Sequence, residues 1–243
     1  MNFLDEYIKN YDMTIPEIAY KYYHSRRVMD NMIVLAKSIN LPYDDIKLAK
    51  YIGLLHDIGR FEQFRKYHSF SDQNIDHGDL GETILRDMHA LTNFDISKED
   101  YDIVYTAIRN HNKYMIEAGL DKRTLIFAKM IRDADKLDIL YALNNKDIKS
   151  VIWEDNSEIS DRVKNQFLAN SSVKNDGTET KNEKIITMFS FIYDFNYYAS
   201  IEILKNEDYY GKIYRRLKNK ALFKPYIEHV KEYIDERTDS CVR

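Results

Sequence analysis

The feature that most constrains this chain is a series of apolar helical stripes, each carrying one histidine or aspartate. Side chains at i, i+3, i+4 and i+7 share one face of a helix. By that spacing Tyr20, His24, Val28, Met32 and Leu35 form one stripe, and Ala49, Ile52, Gly53 and His56 a second. His77, Leu80, Gly81, Ile84 and Met88 form a third, and Val104, Ala107, Ile108 and His111 a fourth. A fifth, Ala128, Ile131, Asp135, Ile139 and Ala142, carries a carboxylate on its apolar side; Asp133 lies near Ile126, Met130, Leu137 and Leu140, and the period does not exclude it. Any one of these polar groups reads as a core residue satisfied by a neighbour. Together they must satisfy one another, because buried polar groups are rarely left unpaired. A metal centre meets that requirement.

The run Tyr51-Ile-Gly-Leu-Leu-His56-Asp57-Ile-Gly-Arg60 adds a second signal. An imidazole beside a carboxylate offers a borderline nitrogen and a hard oxygen at one place, which suits a divalent transition ion. Adjacent helical side chains point about 100° apart, so the pair is expected at a helix end, with Gly59 ending the helix at positive φ. The competing reading is a capped helix end with a solvated aspartate. Gly53, costly in mid-helix, implies a helix packed closely against it.

Helices are also what the composition favours: 44% of the 243 residues are apolar and 13% aromatic, with 7 Gly and 3 Pro, too few for a turn-rich β fold. The net charge of −4 balances 36 basic against 40 acidic residues, so no overall field recommends nucleic acid or an anionic membrane as a partner. Cys241 is the single cysteine, which excludes an internal disulfide and a cysteine-based metal site. The amino-terminal stretch has early acidic residues and no long apolar run, and no segment reaches membrane-spanning length. A cytoplasmic location is expected.

In chain order, residues 1–12 read as a short amphipathic helix. Thr14-Ile-Pro16-Glu17 reads as a capping box opening a helix to about Ile39. Asp44 or Asp45 is expected to cap the next. Residues 60–73 lose their period and read as a loop or short broken helix at a pocket mouth, with His68 exposed. Asp76 opens the helix of His77, with His89 at the surface. Ser97 with Asp100 opens that of His111, and Asp121 caps a helix to about Leu143. Beyond 144, helices are expected at 161–169, 185–204 and 224–237, the last carrying a peripheral His229. A polar stretch at 171–182 reads as a mobile loop. The aromatic run Met188–Ala199 reads as core, and Arg215, Arg216, Lys218 and Lys220 as a solvated face. No linker divides the chain, so one domain over 1–243 is expected, with a core of about 14–143 and a helical extension of about 144–243.

The order His24, Leu-Leu-His56-Asp57-Ile-Gly, His77, His111, Arg-Asp-Ala-Asp135-Lys resembles the HD-domain superfamily of metal-dependent phosphohydrolases. The resemblance implies an all-α HD-domain bundle extended by carboxy-terminal helices. It also implies one or two ions of Mn, Fe, Mg, Zn or similar, and hydrolysis of a phosphoester or phosphoanhydride, commonly of a nucleotide. Carried over, His24, His56, Asp57 and Asp135 hold a first metal, and Asp57 bridges to a second held by His77 and His111. Water attacks phosphorus, so no protein nucleophile is needed. Arg27, Arg60, Lys113 and Lys136, each near a ligand in sequence, are candidates for binding substrate phosphate; Asp57, Arg60, Lys113 and Lys136 are the candidate catalytic groups. Two other readings use the same scaffold: a di-iron oxygenase, and a non-catalytic sensor with a structural metal. The aromatic second half would cover the site or bury a homo-oligomer interface.

Overall fold

The computed structural model describes residues 3–145, 154–175 and 179–239, and all regular elements among them are helical. Internal contacts divide the chain into two compact units, 1–138 and 139–243. The division falls inside one helix.

The first unit contains α1 (Phe3–Tyr7), α2 (Pro16–Ser38), α3 (Tyr43–Leu55), α4 (Ile58–Tyr67), α5 (His77–Asp87) and α6 (Tyr101–Asn110), then the start of α7 (Lys122–Asn145). α2 packs most extensively on α3; α5 lies against both α4 and α6. Four of the five stripes supply the core; on α5, Gly81 is buried, Leu80 and Ile84 are half-buried and Met88 is exposed. Val28, Met32 and Leu35 of α2, Ala49 and Ile52 of α3, Val104, Ala107 and Ile108 of α6, and Ala128 and Ile131 of α7 are all fully buried.

Helix starts follow the sequence in part. The Asp76 carboxylate accepts from the backbone N–H groups of Gly78 and Asp79, opening α5, and Asp121 accepts from those of Arg123 and Thr124, opening α7. Thr14 is no cap. Its hydroxyl and N–H both donate to Asp12, and Ile15 precedes α2 with no side-chain cap. Neither Asp44 nor Asp45 caps α3: Pro42 holds that position, and Asp45 instead accepts from Arg123 at 2.6 Å. Ser97 turns to Glu99, and a 3₁₀ turn, Lys98–Asp100, leads into α6. The amino-terminal helix is shorter than expected, α1 passing into a 3₁₀ turn at Ile8–Asn10.

Within residues 60–73, expected as a loop or short broken helix, the chain is a short helix as far as Tyr67: α4 runs from Ile58 to Tyr67, and Gly59 lies within it rather than ending α3 with positive φ. Its role is close approach. A Cβ at Gly59 would stand 2.2 Å from the His77 carbonyl oxygen and 2.8 Å from the Gly81 nitrogen, so α4 and α5 meet backbone to backbone. Gly53 behaves as expected, since a Cβ there would lie 2.8 Å from Met29 Cα. The break between α3 and α4 falls at Asp57, with φ −102° and ψ 15°.

The second unit continues with α8 (Asp161–Leu168), α9 (Lys181–Phe189), α10 (Tyr198–Glu207), α11 (Tyr209–Arg216) and α12 (Lys220–Asp239). α12 packs against α9, α10 and α11. Thr180 and Glu183 form a capping box at α9. The single helix expected over 185–204 is broken by a 3₁₀ turn at Ser190–Asp194. There Ser190 donates its hydroxyl to the Thr187 carbonyl and accepts from the Val173 N–H at 2.9 Å. Phe189, Ile192 and Phe195 of the aromatic run are core, whereas Tyr198 is exposed. Arg215, Arg216, Lys218 and Lys220 are exposed. Part of the polar stretch at 171–182, residues 176–178, lies outside the described residues, as does Cys241.

Candidate metal centre

The ends and faces of the first-unit helices bring six side chains to one place. His24 comes from mid-α2, His56 and Asp57 from the α3–α4 break, His77 from the first residue of α5, His111 from just beyond α6, and Asp135 from α7. The four histidines and Asp57 are buried. The two helix-end positions relieve the geometry that would otherwise separate adjacent side chains.

Asp57 divides the cluster. Its Oδ2 lies 3.3 Å from His24 Nε2 and 3.5 Å from His56 Nε2. Asp135 Oδ1 completes this group, 3.1 Å from His24 Nε2 and 3.8 Å from His56 Nε2. The other oxygen of Asp57, Oδ1, lies 3.4 Å from His77 Nε2 and 3.6 Å from His111 Nε2. The two pairs of Nε2 atoms are themselves close, 3.2 Å for His24 and His56 and 2.9 Å for His77 and His111. Two metal-competent sets, His24 with His56 and Asp135, and His56 with Asp57 and His111, each bring their ligand atoms within 4.8 Å of one another.

Every ring is fixed from behind. His56 Nδ1 donates to the Gly53 carbonyl at 2.8 Å, and His111 Nδ1 to the Ile108 carbonyl at 2.6 Å. His24 Nδ1 donates to Asp138 Oδ2 and His77 Nδ1 to Asp72 Oδ1, each at 2.6 Å. Such bonds settle the tautomer and aim Nε2 inward. In the second group the atoms that converge are therefore acceptors: Nε2 of His77, Nε2 of His111 and Asp57 Oδ1. Three acceptors at these distances call for a positive centre between them, and an N₂O donor set suits a divalent transition ion. The residues fit the metal that the sequence implies.

Charge in the cluster follows the same layout. Burial, with His111 and His24 nearby, pushes His56 down to about 3. Burial and Arg60 push His77 down to about 4. For His24, burial and Lys21 oppose the charged ring, but hydrogen bonds to Asp135, Asp138 and Asp57 prevail and raise it to about 10. Without a metal, a proton on His24 sets a positive charge against Asp135 and, together with the Lys21 ammonium, against Asp57. Burial works against both carboxylates, yet Lys21 and His56 for Asp57, and His24 for Asp135, hold each below the usual carboxylate range.

Asp135, rather than the fully buried Asp133, faces His24. Of the four candidate phosphate-binding cations, Arg60 stands beside the cluster, its Nε 3.7 Å from Asp57 Oδ1. Its Nη1 bonds Gln63, the Phe70 carbonyl and Asp72, and its Nε is a buried donor without a hydrogen-bond partner. Arg27 forks instead onto Asp138, at 2.6 and 3.1 Å. Lys113 is drawn to the start of α5 by Asp76 and Asp79, at 2.7 and 2.8 Å. Lys136 lies next to Asp135 on α7 and is partly exposed. His68 and His89 are exposed, each with positive φ.

Sequence reasoning passed over Lys21, Asp72 and Asp138. Lys21 and Asp138 were open to detection, standing one turn from His24 and from Asp135, and residues at i and i+3 are neighbours on a helix. Asp72 lies in the loop between α4 and α5, where no period marks it. A family model described as HD domain matches residues 22–140. No curated protein and no solved structure gives a match.

Proposed function

This chain belongs to the HD-domain family through residues 22–140, a family generally of metal-dependent hydrolases, and on that premise we propose that it hydrolyses a phosphoester or phosphoanhydride of a small phosphorylated metabolite. The observation that carries the proposal is the placement of Asp57, whose two oxygens face two separate histidine pairs. In this reading His24, His56, Asp57 and Asp135 hold one ion, and Asp57, His77 and His111 a second. Divalent ions so held lower the pKa of a bound water towards neutrality and stabilise charge on the phosphoryl oxygens.

The chain's own residues supply the positioning. Asp138 and Asp72 fix the rings of His24 and His77, so the inward nitrogens hold their direction. The unpartnered Arg60 Nε–H beside Asp57 Oδ1 is suited to an oxygen of the substrate or of the attacking water. Ion pairing withdraws Arg27 and Lys113 from the role of phosphate ligands in this proposal; Lys136 stays a candidate at the edge. A nucleotide substrate is the finer part of the reading, supported by the substrates common in the family, and a cytoplasmic setting belongs to the same proposal.

The test is elemental analysis of the purified protein together with phosphate release from a panel of nucleotides and general phosphoesters with added Mn²⁺. One or two equivalents of metal with metal-dependent release are expected. Bound iron with O₂-dependent turnover and no phosphate release would replace the hydrolase with an oxygenase.

A further inference from the structure

Lys21 precedes His24 by one turn of α2 and sets its ammonium 2.6 Å from Asp57 Oδ2, the same oxygen that faces His24 and His56. The first histidine group is unevenly covered: the His24 and His56 side chains are 0% exposed and Asp57 3%, but Asp135 is 18% and Lys21 14% exposed. Solvent reaches this group at Lys21 and at Asp135. The ammonium stands 5.8 Å from the centroid of the Tyr20 ring and 5.6 Å from that of Phe70, so two aromatic faces flank it.

The other cations nearby differ in what holds them. Arg27 is bound to Asp138, the Nη1 of Arg60 to Asp72, and Lys113 to Asp76 and Asp79, all carboxylates outside the six-residue cluster. Among the described residues Lys21 donates only to Asp57. An ammonium carries three N–H donors, so two remain for another acceptor. Asp57 is also the residue whose charge an incoming divalent ion would draw upon. With that carboxylate shared, a phosphate dianion at the exposed edge is the stronger acceptor for the ammonium.

We infer that Lys21 is a catalytic residue that donates to a phosphoryl oxygen of the substrate and holds the phosphate against Asp57 at the open side of the centre. The inference rests on the phosphohydrolase reading of the site. The competing role for Lys21 is to neutralise Asp57 and nothing more.

The experiment compares the Mn²⁺-loaded full chain with its Lys21→Met and Lys21→Arg variants by titration calorimetry against inorganic phosphate, with metal content measured on the same samples. Loss of a charge-assisted hydrogen bond is expected to raise the phosphate Kd about 10- to 100-fold in Lys21→Met. Metal content should stay unchanged, and Lys21→Arg should restore most of the affinity. Lys21→Gln, uncharged and of similar length, serves if Lys21→Met does not fold. An unchanged phosphate Kd overturns the inference, as does a fall in metal content with phosphate affinity per loaded site preserved. If the unsubstituted protein neither binds phosphate nor releases it from any phosphoester, the hydrolase reading itself fails and the role of Lys21 falls with it.

Discussion

At the residue scale, Asp57 stands between two histidine pairs, one facing each of its oxygens. Replacing both His56 and Asp57 by alanine should abolish metal uptake and hydrolysis while the far-ultraviolet circular dichroism stays helical. Retained turnover would show that the ligands lie elsewhere. Asp138 and Asp72 act through the rings that they hold, at 2.6 Å each. Losing such a partner typically costs about 10- to 100-fold in metal affinity. Asp138→Asn should therefore weaken the ion at His24, and Asp72→Asn that at His77, which two-site metal titrations would separate. Five of the six ligand candidates were legible in the sequence because each sits on, or closes, an apolar stripe, and Asp57 because it adjoins His56. The residues behind them were less so: Asp72 stands on a loop, where position depends on contacts with Arg60, Gln63 and Asn112 that no local pattern records.

At the scale of elements, the stripes predicted the helices well and their ends poorly. Asp76 and Asp121 read correctly as starts because each carboxylate bonds backbone only two and three residues away. Asp45 and Thr14 failed because a competing partner, distant Arg123 for one and nearby Asp12 for the other, claims the side chain. Gly59 is the instructive error. A glycine after His-Asp looks like a terminator, but its reason lies in α5, which sequence order places about twenty residues away. Gly59→Ala should push α4 from α5 and lower stability by about 1–3 kcal/mol, read as a fall in the urea midpoint; an unchanged midpoint would mean that the two backbones can part at no cost. The same limit explains the break at Ser190–Asp194, where Ser190 bonds Val173 across the second unit.

For the molecule as a whole, the centre joins α2, α3, α5, α6 and α7 at one point of the first unit, so chelation should lower its melting temperature, and excess metal should raise it in proportion to the logarithm of concentration. In the metal-stripped protein, pH acts in two directions. His56 and His77, held at about 3 and about 4 against an ordinary 6.5, leave the unfolded chain with more bound protons in that interval, so stability falls as pH drops below 6.5. His24, raised to about 10, gives a contribution that is full below 6.5 and is lost as pH rises through 10. Urea midpoints should then peak near neutrality; a steady climb to pH 10 would contradict the charged His24. The all-α class was readable from stripes and composition, whereas the division at 138 was not, because α7 runs through it without a turn signal. The rings anchored at Nδ1 carry a kinetic consequence. A cage whose nitrogens already point inward needs no search of conformations when an ion arrives, so loading should proceed without a lag, at a rate set by how fast the ion sheds its water.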